Sequence, residues 1–122
     1  MPTTFVTLDN PAGNNTDARG INDAGQIVGD YTDASRRQGF VLSGGSYTTL
    51  PAIGSYTVAT GINASGQIVG FYDNQGFLYS NGTYSSIGGG GQSYTSAHGI
   101  NDAGQIVGYG YSIVFVPWPF YT

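Results

Sequence analysis

The 122-residue chain contains no cysteine, no glutamate and no lysine, and only 8% of its residues are charged. Without cysteine there is neither a disulfide framework nor a thiolate metal site. Arg19, Arg36 and Arg37 are the only cations, set against seven aspartates, for a net charge of −4. Such a chain offers no basic surface to a nucleic-acid backbone or to an anionic membrane. No apolar run approaches the ~20 residues that span a bilayer. The start "MPTTFVTL" lacks the basic and apolar stretches of a secretory signal. His98 is the sole histidine, which leaves a transition metal short of ligands and a nucleophilic triad without context. The aspartates fall mostly in inferred turns and loops, and none forms a distinct pair for glycoside hydrolysis. These absences predict a protein that is not an enzyme and carries no metal or cofactor.

What is present is glycine (21), tyrosine (10) and threonine, a composition that disfavours helices and suits short strands joined by turns. It is also organised as a repeat. "GINDAGQIVG" at 20–29 returns as "GINASGQIVG" at 61–70 and as "GINDAGQIVG" at 99–108, at spacings of 41 and 38. Periods of this length mark propellers, solenoids and other repeat folds. Each unit divides into four runs. Strand A is "ARGIN", "ATGIN" or "AHGIN". A four-residue turn follows, opened by Asn22, Asn63 or Asn101 and closed by Gly25, Gly66 or Gly104. Asparagine can bond its own downstream backbone and glycine accepts positive φ, which suits a type I turn with a left-handed last residue. Strand B is "QIVGDY", "QIVGFY" or "QIVGYG"; strand C is "GFVLS" or "GFLYS". A "GG" or "NG" pair of the type I′ hairpin then leads into strand D, "SYTTL" or "TYSSI".

The ends complete one another. "TTFVTL" at 3–8 is an orphan strand D. In the third unit "QIVGYGYSIVFV" supplies strands B and C, and "PWP" at 117–119 replaces the C–D hairpin, since proline has no donor and cannot take positive φ. The chain therefore reads as one domain over 1–122. It comprises unit one at 17–50, unit two at 57–87 and unit three at 95–122, the last completed by 3–8.

These strings resemble the HAF family of extracellular repeats, whose units carry "GIND-x-G-x-IVG" followed by a short "HAF"-like strand. All three cores match, with Ala64 in place of aspartate in the second; the "HAF" position reads "QGF" at 38–40 and 75–77 and is lost as "SIVF" in the third. The resemblance implies propeller-like tandem arrays on exported bacterial proteins, an extracellular or cell-surface location, and no enzymatic activity.

Three units of four strands fit a β-trefoil, a β-prism, or blades of a β-propeller. The tight A–B and C–D turns favour meandering blades. A propeller needs 4 to 8 blades, so three per chain predicts a six-bladed ring formed by a homodimer. A filament, in which the orphan strand completes the next subunit, is the open-ended alternative.

Candidate binding positions are those where the copies differ or expose aromatic faces. Arg19, Thr60 and His98 fill one slot in strand A and would line a channel if they face the centre. Tyr31 and Tyr72 end strand B, Tyr56 and Tyr94 precede the motif glycine by five residues, and Tyr47 and Tyr84 begin strand D. Tyrosine suits sugar rings and packing interfaces equally. Trp118, between prolines and outside the repeat, suits an oligomer anchor or a stacking platform. The "NDAG" turns, with Asp23 and Asp102, provide too few oxygens for calcium and are read as self-stabilised turns. The leading expectation is a non-catalytic, self-associating extracellular repeat module, and the alternative is a lectin with quasi-equivalent glycan sites.

Overall fold

Asparagine organises each repeated string. In the first, Gly25 N donates to Asn22 O (3.0 Å), while Asn22 Oδ1 accepts from Ala24 N (3.1 Å) and Gln26 N (2.9 Å). The same closing bond joins Gly66 to Asn63 and Gly104 to Asn101. Gly25, Gly66 and Gly104 take φ of 81°, 83° and 82°, left-handed values that a Cβ would disfavour. Gln26, Gln67 and Gln105 accept from the asparagine Nδ2 at 2.8 Å in all three copies. The conserved string thus holds a side-chain pair, Asn with Gln four residues on. The glutamine belongs to the loop and not to strand B, which starts at the following isoleucine.

A computed structural model describes residues 8–34, 36–87, 94–111 and 120–121. Among these the chain is all-β, with no helix. β1 (Asn14–Ile21), β2 (Ile27–Thr32), β3 (Arg37–Ser43) and β4 (Ser46–Thr49) form one antiparallel meander. β5 (Thr57–Ile62), β6 (Ile68–Tyr72), β7 (Gln75–Ser80) and β8 (Thr83–Ile87) form a second. These are the A, B, C and D strands expected of units one and two. The C–D hairpins are type I′ in both, with positive φ at Gly44 and Gly45 and at Asn81 and Gly82.

The third unit departs from the expected order. β9 (Tyr94–Ile100) and β10 (Ile106–Tyr111) repeat the A–B hairpin, but the strand beside β10 is β11 (Phe120–Tyr121), and it runs parallel. Ile106 and Val107 pair with Phe120 and Tyr121, at the positions where Ile27 and Val28 meet Leu42 and Val41 in the first sheet. Proline gives no ladder donor, and β11 begins immediately after Pro119. The expected strand C of this unit, the "PWP" segment with Trp118 and nearly all of the orphan strand at 3–8 lie outside the described residues.

Strand A is bulged at the same point in every unit, and β1 carries a second register shift between Asn14 and Asp17. Ala18 pairs with Gly29 and Gly20 with Val28, leaving Arg19 unpaired; Thr60 and His98 are skipped in the same way. The bulge explains why this slot varies between small neighbours. It also explains the glycine of "IVG": a Cβ on Gly29 or Gly70 would collide with the carbonyl oxygen of Asp17 or Val58 on the bulged strand.

The three sheets stack in chain order and do not close into a barrel. β5 packs on β1, β2 and β3, and β9 packs on β5, β6 and β7. Val28, Leu50, Ala59, Ile62, Ile68 and Phe77 form the core of the first junction, and Val69, Ile87, Ala97 and Ile106 that of the second.

Candidate functional site

Two features stand apart from this scaffold. The first is the pair of outer faces left by the stack. The motif isoleucine points back toward the preceding sheet and the motif valine forward toward the next. Ile62 is 6% exposed and Val28 and Val69 are 0% exposed, because each meets a neighbour. Among the described residues no sheet lies before Ile21, which is 66% exposed, and none lies after Val107, which is 50% exposed. Each outer face carries a shallow groove. Ala18, Arg19, Gly20, Ile21 and Ile27 line one of about 320 Å³, and Gly99, Ile100, Asn101, Gln105 and Val107 line one of about 410 Å³.

The second feature is a line of side chains at positions where the copies differ. After "IVG" the units carry Asp30, Phe71 and Tyr109, and the bulge slot carries Arg19, Thr60 and His98. Asp30 is buried at 1% exposure and is held by Arg19 Nε on Oδ1; Arg37 Nε lies 3.1 Å from Oδ2, an ion pair without an aligned hydrogen bond. A buried carboxylate is tolerated only when paired, so Asp30 fixes two of the three arginines on one sheet. Arg36 donates to Gly54 O at 3.3 Å. Between the first and second sheets, Arg36, Arg37, Ser55, Tyr56 and Phe71 line a cleft of about 320 Å³. Tyr56 packs edge-on against Phe71 with centroids 6.3 Å apart and donates its hydroxyl to Asp73 O at 2.7 Å. From Phe71 the aromatic surface continues to His98 (6.4 Å), which stacks on Tyr109 at 5.2 Å and 22°. His98 Nε2 also lies 3.1 Å from Ser96 Oγ.

The expected site residues are therefore divided. Arg19, Thr60 and His98 occupy equivalent bulges but have separate roles: Arg19 pairs with Asp30, His98 stacks, and Thr60 Oγ1, 3.2 Å from Val69 O on its own sheet, donates to Ala97 O on the next at 2.7 Å, bridging two sheets. Tyr56 joins the cleft. Tyr31 belongs to the core, 3% exposed with its hydroxyl 2.7 Å from Thr49 Oγ1, and Tyr72 packs against the first junction. Tyr47 meets Phe40 edge-on at 5.3 Å, and Tyr84 meets Phe77 at 5.1 Å. Tyr94 pairs with Tyr111 in the β9–β10 ladder. The sequence reading passed over Asp30 and Phe71; the signal was available, since an acid and a phenylalanine alternate at one position of an otherwise constant string.

Comparison of the chain with protein-family models, with curated proteins and with solved structures found no match. Among the described residues no helix is long and apolar enough to cross a membrane.

Proposed function

We propose that this chain is a non-catalytic, self-associating repeat module, with its three sheets acting as propeller blades that a second copy completes to six. The observation that carries this reading is the contrast at the motif apolar positions. The isoleucine and valine that are buried at inner junctions stand exposed as Ile21 and Val107 at the two outer faces. An apolar side chain left exposed where its counterparts in the repeat are buried supports an interaction site there. The sheet order supports blades over a prism or a trefoil. The first two sheets are separate meanders, each sheet packs on the next, and among the described residues no strand of the first packs extensively on the third. The resemblance to HAF-type repeats supports an extracellular or cell-surface setting. Native mass measurement tests the module: a dimer is the expected result, and a monomer at every concentration would remove self-association.

The cleft of Arg36, Arg37, Ser55, Tyr56 and Phe71 favours a second reading, a lectin. Aromatic faces beside oriented polar groups suit a sugar ring. A glycan array is the test. Binding lost in Tyr56→Ala and Phe71→Ala would establish a carbohydrate site, and an array without hits would retire it.

A further inference from the structure

We infer that copies of this chain join head to tail, the third sheet of one seating on the first sheet of the next in the register that already links the sheets within the chain. The inference rests on the self-association proposed above and specifies its geometry.

The register is written twice inside the molecule. Asn22 Nδ2 donates to Asn63 O at 3.0 Å, and Asn63 Nδ2 donates to Asn101 O at 3.1 Å. Each sheet thus hands one amide hydrogen forward to the turn carbonyl of the next. Glycines mark the closest approach: a Cβ on Gly20 would lie 3.0 Å from Gly61 Cα, and one on Gly61 would lie 3.3 Å from Gly99 Cα. At the second junction a further bond runs forward, from Ala64 N to Asp102 Oδ1 at 2.8 Å.

Both ends of this ladder are open and they are opposite in kind. On the last sheet, Asn101 Nδ2 donates only to its own Gln105, although the two asparagines before it each make a second bond. On the first sheet, Asn22 O accepts Gly25 N, whereas Asn63 O accepts both Gly66 N and the preceding asparagine. Asp23 adds an independent sign. An aspartate at this position serves the sheet that precedes its own, as Asp102 does. Where Ala64 stands, the first junction goes without that bond. Among the described residues Asp23 has no sheet before its own and no side-chain partner, and it is exposed. A preceding copy supplies one, the backbone N–H of its Asp102. The head-to-tail contact therefore gains two bonds, Asn101 Nδ2 to Asn22 O and Asp102 N to Asp23 Oδ1. It also covers Val107 and Ile21 together and brings Gly99 against Gly20.

The symmetric alternatives lack this match. Two first sheets face to face would set carbonyl against carbonyl and Asp23 against Asp23. Two last sheets would set donor against donor. A front that fits a back is a heterologous contact, which closes a ring or extends an array according to its rotation.

Ile21→Arg and Val107→Arg each block one face, and both positions are exposed, so the chain should still fold. Each variant alone is expected to be monomeric by sedimentation, and an equimolar mixture is expected to form a one-to-one heterodimer through the single intact front and back. If either variant alone keeps the wild-type mass, or if the mixture stays monomeric, the head-to-tail geometry is overturned. A wild-type chain that is itself monomeric would instead defeat self-association as such. Asp23→Ala supplies a second readout that leaves the fold alone. It is expected to weaken association by about ten- to a hundredfold, in line with loss of one hydrogen bond to a charged group. Asp102→Ala removes only a bond within the chain and should leave association within twofold. Equal behaviour of the two aspartate variants would overturn the register.

Discussion

The inner junctions and the outer faces of this molecule are built from the same residues. Ile62 and Ile21 occupy the same place in the same string, as do Val69 and Val107, yet one of each pair is buried and the other exposed. The A–B pairings around them are alike, although Val69 lies beside the antiparallel β7 and Val107 beside the parallel β11, so the presence or absence of a neighbouring sheet is the main difference. In repeat proteins a unit's stability is largely the sum of its own fold and its contacts with adjacent units. The comparison separates those terms within one chain.

Truncation gives the largest expected effect. Ile62→Ala should destabilise the chain by about 2–5 kcal/mol, the usual cost of emptying a buried aliphatic site. Ile21→Ala, measured on monomer, should stay within about 0.5 kcal/mol, as surface substitutions do. Denaturant titrations of the two variants check this, and comparable losses would mean that the outer face is covered in the free chain. The asparagines sharpen the comparison. Asn63→Ala removes the turn contacts and the bond to Asn101 O, whereas Asn101→Ala removes the turn contacts alone. The first variant should be less stable than the second by about 1 kcal/mol, one net hydrogen bond. Ala64→Asp asks the converse question. It installs at the first junction the carboxylate that Asp102 provides at the second, and thermal unfolding should show a gain of about 0.5–1 kcal/mol.

Much of the fold was legible because the string repeats. Gly25 and the "GG" and "NG" pairs announce their φ values through residue type, and strands A to D of the first two units follow from the turns between them. The bulge was not legible. Arg19, Thr60 and His98 share no chemistry, and only the ladder shows that strand A carries an extra residue there. The forward bonds of Asn22 and Asn63 were hidden for a different reason. The turn alone accounts for an asparagine at that position, and the second bond exists only because the sheets stack. The parallel β11 beside β10 was not legible, because the copies of that strand in the first two units lie next to an antiparallel one. For the candidate cleft, Tyr56 was found as an aromatic, whereas Phe71 and Asp30 gained meaning only when the cross-strand partners of the bulge were known.

The smallest expected effect concerns a clasp found at the first junction. Tyr84, on β8, donates its hydroxyl to Pro51 O, on the connection leaving the first sheet, at 2.7 Å. Burial, with a smaller contribution from nearby Tyr79, pushes its pKa up from 10.0 to about 12. A phenol whose pKa is higher in the folded state contributes stability that is complete below its unfolded pKa and is lost as pH rises through the folded one. The first junction should therefore hold undiminished up to about pH 10 and weaken from there to about pH 12, where a phenolate has no proton to donate. Because Tyr84 is partly open to solvent, the change should be modest. Tyr84→Phe keeps the ring against Phe77 and discards the hydroxyl, so it should lower stability below pH 10 by up to about 1 kcal/mol, the net worth of one hydrogen bond, and flatten the curve between there and about pH 12. Equilibrium unfolding across this range compares the two proteins. An unchanged alkaline slope in the variant would mean that the loss arises elsewhere and that the clasp adds nothing to the first junction.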